Sequence, residues 1–218
     1  MINRIFSVGI ACSWLLVTAL TQTASALESD SREWRFRVLL DDAEIGYHTF
    51  RMSEDDGQQV VDSEASFRVR VLFIPAYRYD HVNQERWNED CLVGINAETR
   101  VNGDSLTVQG LYREDSLVLR DETGDRELDG CVMSFAYWNP AFLHQSRLLN
   151  SQTGDYENVD IHSVGDEFIN IRGRDIMATR YSLNADSLSM DLWYSADREW
   201  LGLESVTSSG RKLRYQLL

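Results

Sequence analysis

Glu33-Trp34-Arg35-Phe36-Arg37-Val38-Leu39-Leu40 is the stretch whose reading decides the fold. Trp34, Phe36, Val38 and Leu40 fall on one side, and Glu33, Arg35, Arg37 and Leu39 on the other. A period of two belongs to a strand, whose successive side chains point to opposite faces, so one face here is meant for a core. The same period recurs along most of the chain. Residues 45–52 return as a second strand across the polar turn Asp41-Asp42-Ala43-Glu44. Ser53-Glu54-Asp55-Asp56-Gly57 is a further turn by residue type. A long strand region continues over residues 60–87, bent at Pro75. Asn102-Gly103 reads as a hairpin turn between residues 94–101 and 106–113, because that pair accepts positive φ. Residues 117–120 precede an acidic loop over 121–129. Later strands are read at 158–164, 167–172, 178–183 and 189–194, with a closing hairpin of 201–207 and 212–217.

One segment breaks the pattern. Asn139 is a helix cap, and Pro140 suits a first helical position, where no backbone donor is needed. Residues 141–149 then read as a short helix that ends at Asn150. About ten strands and one short helix predict a mainly β chain: a curved antiparallel sheet, half-barrel or barrel, with the helix plugging its inside face. The alternative architecture is a two-sheet β-sandwich.

Residues 1–26 read as a secretory signal peptide. Arg4 is the only charge, an apolar run spans 5–20, and Ala24-Ser25-Ala26 is a small-x-small cleavage site. A retained anchor is the alternative. Sixteen residues of helix reach about 24 Å, short of a hydrocarbon core of roughly 30 Å. No basic cluster comes after the run, so cleavage after Ala26 is preferred and no transmembrane segment is expected afterwards. Cys12 is rejected as a lipoprotein site because Trp14-Leu15-Leu16-Val17 continues the apolar run past it. The mature chain is then one β-rich domain over 27–218, placed in the periplasm or secreted.

Losing Arg4 takes the formal charge from −14 to −15. Such an acidic chain repels phosphate backbones, which argues against nucleic acid and against anionic lipid surfaces. Two cysteines remain, Cys91 and Cys131. An isolated pair in an oxidising compartment is expected to form a disulfide, and neither has the nearby Cys or His partner of a metal site. No metal or other cofactor is expected. The acidic cluster Asp121, Glu122, Asp125, Glu127 and Asp129 lacks calcium-loop spacing and reads as a solvated turn. No GxSxG elbow, GxGxxG or P-loop is present, which argues against the common hydrolase, dinucleotide and nucleotide enzymes.

The most distinctive surface is one side of residues 67–87. If alternation holds through Pro75, it presents Phe67, Val69, Val71 and Phe73, then Tyr77, Tyr79, His81, Asn83, Glu85 and Trp87. A bulge at Pro75 would turn every later residue of the segment to the opposite face. As a cleft, this face has an apolar floor with polar groups at its mouth, the usual make-up of a small-molecule site. The competing reading is a core face whose polar end meets solvent. His81 with Glu85, or Asp160 with His162, would be the acid/base residues if the protein were an enzyme. A structural or partner-binding envelope protein is the third reading.

Phe135-Ala136-Tyr137-Trp138-Asn139-Pro140 and Leu148-Leu149-Asn150-Ser151-Gln152-Thr153-Gly154 carry a resemblance. With Gly46-Tyr47-His48, Glu85-x-Trp87, Asp90-Cys91-Leu92, Asn102-Gly103 and Asp191-Leu192-Trp193-Tyr194, they look like a family of exported bacterial proteins classed as a domain of unknown function. The resemblance covers nearly all of the mature chain and implies an envelope location with no assigned activity. The closing strands, with Leu192-Trp193-Tyr194, Leu201-Gly202-Leu203-Glu204 and Leu213-Arg214-Tyr215, are similar to those of LolA/LolB-type lipoprotein carriers. That likeness implies a half-barrel with an apolar concavity for a lipid-like ligand. The leading expectation is therefore a periplasmic binding or carrier module for an apolar or amphipathic molecule, its cavity lined by Phe67, Val69, Val71, Phe73, Tyr77 and Tyr79.

Overall fold

A computed structural model describes residues 31–71, 74–186 and 188–218. The leader expected at 1–26 lies outside the described residues, as do Phe73 and the side chain of Val71.

Turns of two residues set the architecture. Strand β1 (Arg32–Leu40) joins β2 (Ala43–Asp55) through Asp41-Asp42, both at positive φ, 48° and 67°. Asp56-Gly57 joins β2 to β3 (Gln58–Val71) in the same way. Such turns match the twist of the strands they connect. β3 and β4 (Ile74–Asn88) form a third hairpin, with Phe67 opposite Tyr79, Ala65 opposite His81 and Val61 opposite Glu85. The expected single strand region bent at Pro75 is thus two antiparallel strands, reversing between Val71 and Ile74. Pro75 is the second residue of β4, opposite Arg70 beside a register shift. A missing backbone donor is tolerated at such an irregularity.

β5 (Cys91–Val101) and β6 (Asp104–Arg113) meet at the expected Asn102-Gly103 turn. The acidic segment is a hairpin, not a loop: β7 (Ser116–Asp121) pairs with β8 (Gly124–Asp129). Asp121 makes this turn by accepting bonds from both the backbone N and the hydroxyl of Thr123, at 2.7 and 2.6 Å. After β9 (Arg147–Leu149), the sixteen-residue β10 (Tyr156–Ile171) runs through both segments expected at 158–172, with a register shift at Ser163/Gly165. β11 (Arg174–Ala185), β12 (Ser189–Ser195), β13 (Trp200–Val206) and β14 (Lys212–Leu217) complete the chain.

All fourteen of these strands lie in one antiparallel sheet, ordered β8-β7-β6-β5-β4-β3-β2-β1-β14-β13-β12-β11-β10-β9. One continuous sheet excludes the two-sheet sandwich. The count rises to fourteen because residues 60–87 are two strands, the acidic segment supplies β8 and the expected helix supplies β9, while 158–172 is one strand. Register shifts in the β1–β2, β3–β4, β4–β5, β10–β11 and β12–β13 pairs add local bend and twist. The free edges are β8 and β9. Arg126 of β8 reaches the loop after β9, donating to the Gly154 carbonyl, and pairs with Asp121 at 2.7 Å. The edges approach through side chains without a ladder, so the sheet curls but does not close.

Between β8 and β10 the chain passes through the interior. The expected helix over 141–149 is only a 3-10 turn, Pro140–His144. Asn139 caps it, its side-chain oxygen accepting from the Ala141 N–H at 3.0 Å. It stops at Gln145 because Arg147–Leu149 is claimed by the β10 ladder, Leu148 opposite Glu157. Phe142, Leu148 and Leu149 are fully buried. Trp138 packs edge-on against Trp87 of β4 at 5.3 Å, and Tyr137 against Trp200 of β13 at 5.2 Å. The segment therefore plugs the curled sheet, touching both of its halves. It joins a core that includes Trp34, Phe36, Leu117, Leu119 and Leu192. The inward face read from residues 33–40 is buried as expected, Phe36 and Val38 completely. The Cys91–Cys131 disulfide is present, and Leu92 N–H donates to the Val132 carbonyl at 2.9 Å beside it. Together they fasten the plug to β5.

Candidate functional site

β2, β3 and β4 turn polar residues inward where most of the sheet turns hydrocarbon inward. His81, Asn83 and Glu85 of β4 are 4%, 6% and 5% exposed, with Ser63 of β3 buried beside them. His48 enters from β2 and Tyr215 from β14, while Phe135, Tyr137 and Gln152 approach from the plug and the loop after β9. They enclose a chamber of about 110 Å³.

A wider space of about 570 Å³ lies at one end of the sheet. Leu40, Ile45, Phe67, Val69, Leu203 and Leu213 give it apolar walls, and Tyr77, 38% exposed, stands at its edge. Tyr79, Tyr137, Gln152, Leu188 and Tyr215 line both spaces. They form a neck between an apolar mouth and a polar chamber.

Hydrogen bonds fix most of the chamber. His81 Nδ1 is 2.9 Å from the Thr99 hydroxyl. Asn83 Nδ2 donates to one oxygen of Glu85 at 3.0 Å, and the Trp87 indole N–H donates to the other at 3.2 Å. His48 Nδ1 lies 3.3 Å from the Tyr215 hydroxyl, and its ring stacks on Phe50 at 4.1 Å. Two buried atoms of the chamber have no hydrogen-bond partner among the described residues: His48 Nε2 and Asn83 Oδ1. An unpaired buried polar atom is costly unless something else occupies the space it faces.

Burial also decides protonation. Loss of solvent, with a smaller contribution from His81, pushes the His48 imidazole down to about 3. Loss of solvent alone takes His81 down to about 4. Both rings are therefore neutral at neutral pH. Burial raises the Glu85 carboxyl, opposed by bonds from Asn83, Ser134 and Trp87. Burial likewise holds the Tyr79, Tyr137 and Tyr215 hydroxyls protonated.

The structure brings together most of the face read from residues 67–87. Phe67, Val69, Tyr77 and Tyr79 line the mouth, and Tyr79, His81, Asn83 and Glu85 line the chamber. Trp87 does not: it is wholly buried under the plug and acts as a donor to Glu85. Asp160 and His162 sit on β10, largely exposed and 3.6 Å apart, away from the chamber. His48, Tyr137, Gln152 and Tyr215 are missed by a reading of one segment at a time. Their signal was their place within the Gly46-Tyr47-His48, Tyr137-Trp138-Asn139 and Ser151-Gln152-Thr153 motifs and the closing strand.

A family model described as Domain of unknown function (DUF6134) matches residues 36–218. The chain belongs to this family. Every chamber and mouth residue of this DUF6134 chain falls inside the match. A solved structure with a similar fold is the beta-barrel-like protein of domain of unknown function DUF1849 from Brucella abortus. It aligns with a TM-score of 0.63 at 7% identity, over 85% of this chain and 94% of that one. At that identity the likeness carries the fold alone. No curated protein matches the DUF6134 chain.

Proposed function

We propose that the protein is an exported periplasmic binding or carrier module that holds one amphipathic molecule, its apolar part in the mouth and its polar end in the chamber. The observation that carries this reading is the neck. Five side chains join an open space, apolar on one side and bordered by Ser205, Thr207, Ser208 and Ser209 on the other, to a smaller one whose lining residues include two unpaired polar atoms. Pockets of this kind gain affinity from apolar burial and orientation from a few placed polar groups. The leader read at 1–26, cleaved after Ala26, and the internal disulfide are consistent with an oxidising compartment. The resemblance to LolA/LolB-type carriers read in the closing strands would put a curled sheet to the same use. The catalytic alternative has less support. His81 and Glu85 line one chamber, but each is bonded to partners of its own.

Native mass spectrometry of protein released from the periplasm tests the reading. A co-purifying lipid-like mass is expected, reduced in Val69→Trp, which narrows the mouth. A bare protein mass, together with no binding of any single-chain amphipath, would overturn it. Amino-terminal sequencing of the same material should begin at Leu27.

A second reading rests on a separate observation. Phe168 and Met177 are direct cross-strand neighbours and stand 68% and 48% exposed. An exposed apolar pair of this kind suits contact with a partner protein. Phe168→Glu should then abolish cross-linking to that partner while leaving amphipath binding intact.

A further inference from the structure

We infer that the polar end of the bound molecule is uncharged and carries a hydroxyl or comparable group able both to donate and to accept a hydrogen bond. This rests on the carrier reading and deepens it. The two orphaned atoms define what such a group must offer. Asn83 donates one amide hydrogen to Glu85. Its Oδ1 is left as a buried acceptor and requires a donor. His48 uses Nδ1 toward Tyr215, so Nε2, which has almost no accessible surface as the chamber stands, is the ring atom left for a ligand once the lining side chains shift. If Tyr215 donates to Nδ1, then Nε2 is a donor; if Nδ1 donates, Nε2 is an acceptor. A donor hydrogen satisfies Asn83 in either case; with Nε2 a donor the same hydroxyl can accept from it, and with Nε2 an acceptor the head must supply a second donor hydrogen, as a diol does.

Charge points the same way. Among the described residues lining the chamber there is no Lys or Arg, and Glu85 is the only acid. The mouth adds only Arg211, which is already paired with Asp41 at 2.7 Å. The two chamber imidazoles are neutral at neutral pH. An anionic head such as a carboxylate or phosphate would meet no cation. Its oxygens only accept, so Asn83 Oδ1 would face lone pairs while Glu85 stood nearby. A cationic head is the remaining competitor. Both Glu85 oxygens already accept bonds from Asn83 and Trp87, and burial disfavours the charged carboxylate that an ammonium would need.

Four single-chain probes with the same lauryl tail decide the matter: monolauroylglycerol, laurate, lauryl phosphate and laurylamine. Each is titrated into the intact mature protein below its micellar concentration at neutral pH, with tryptophan fluorescence and calorimetry as readouts. Monolauroylglycerol should bind about tenfold or more tighter than each charged probe, the discrimination expected from one unsatisfied buried polar group. Asn83→Leu and, separately, His48→Phe should each reduce that preference while the tail still binds. His48→Phe retains an aromatic ring on Phe50 and serves if Asn83→Leu does not fold. Equal or tighter binding of a charged probe would overturn the neutral-head inference and leave the carrier reading standing. Binding of none of the four would overturn both.

Discussion

Lowering the pH from 7 to 5 should cost this protein a large part of its stability, through two histidines rather than through its many carboxylates. His48 and His81 are held near 3 and 4 in the folded chain. An unfolded histidine titrates near 6.5. Both folded values are depressed, so the unfolded state binds more protons as the pH falls below about 6.5. The contribution is fully present above that value and is lost progressively down to the folded values. At pH 5 the solution stands about 1.5 units below the unfolded value, so keeping each ring neutral costs about 2 kcal/mol, or about 4 kcal/mol for the two. A domain of this kind has roughly 5–15 kcal/mol in all. Glu85, raised by burial, works the other way and relieves part of the loss. Asp41, Asp80, Asp125 and Glu204 have lowered values and act only in more acid solution. Urea unfolding of the wild type and of His48→Phe at both pH values measures the effect. The variant should lose about half as much as the wild type between them. A wild type whose stability changes by less than about 1 kcal/mol, or a variant with the same slope, would refute the buried neutral histidines.

The remaining expectations concern the plug and the strand that carries His48. Replacing Cys91 and Cys131 together by Ala opens a loop of sequence separation 40. It should cost about 4 kcal/mol in urea unfolding, and a loss below about 1 kcal/mol would contradict the tether. Phe142 is fully buried against Tyr137 and Tyr194; Phe142→Ala should cost about 3–5 kcal/mol in the same assay. Gly46 has a φ of +154°, and a Cβ there would fall on the Ser66 carbonyl oxygen of β3. Gly46→Ala should therefore cost at least about 1–3 kcal/mol and weaken amphipath binding by moving His48, whereas Gly57→Ala, with open space around it, should leave binding unchanged.

The fold was legible where a residue's job is local. Alternation at Trp34, Phe36, Val38 and Leu40 is a statement about one strand, and the structure buries that face. Asn102-Gly103 and Asn139-Pro140 carry their own conformational preferences, and both act where expected. The turn at Asp41-Asp42 was legible, though read two residues too long, whereas the change of direction between β3 and β4 falls in an apolar stretch of sequence that reads as continuous strand. The candidate face survived the misread reversal for a geometric reason. Partners across a hairpin share a face, so Phe67 and Tyr79 point the same way whether the chain bends or turns back. His48 and Tyr215 meet although they are 167 residues apart. No local pattern encodes that approach, which comes from β1 lying between β2 and β14. The helix expected over 141–149 failed because the ladder to β10 outcompetes local preference at Arg147-Leu148-Leu149.

The pairing of β1 with β14 lies at the centre of the sheet, not at a border. Phe36 faces Leu217 and Leu40 faces Leu213 across this seam. A polypeptide emerging from the ribosome cannot complete it until Lys212–Leu217 has been synthesised. Until then the chain consists of two half-sheets with raw borders and a neck that lacks Tyr215. Assembly is therefore governed by one very distant contact, the kind that slows folding and keeps a nascent chain open. Deleting Lys212–Leu217 would remove the seam and take Tyr215 from the neck, leaving the plug, through Trp87 and Trp200, to hold the two half-sheets together.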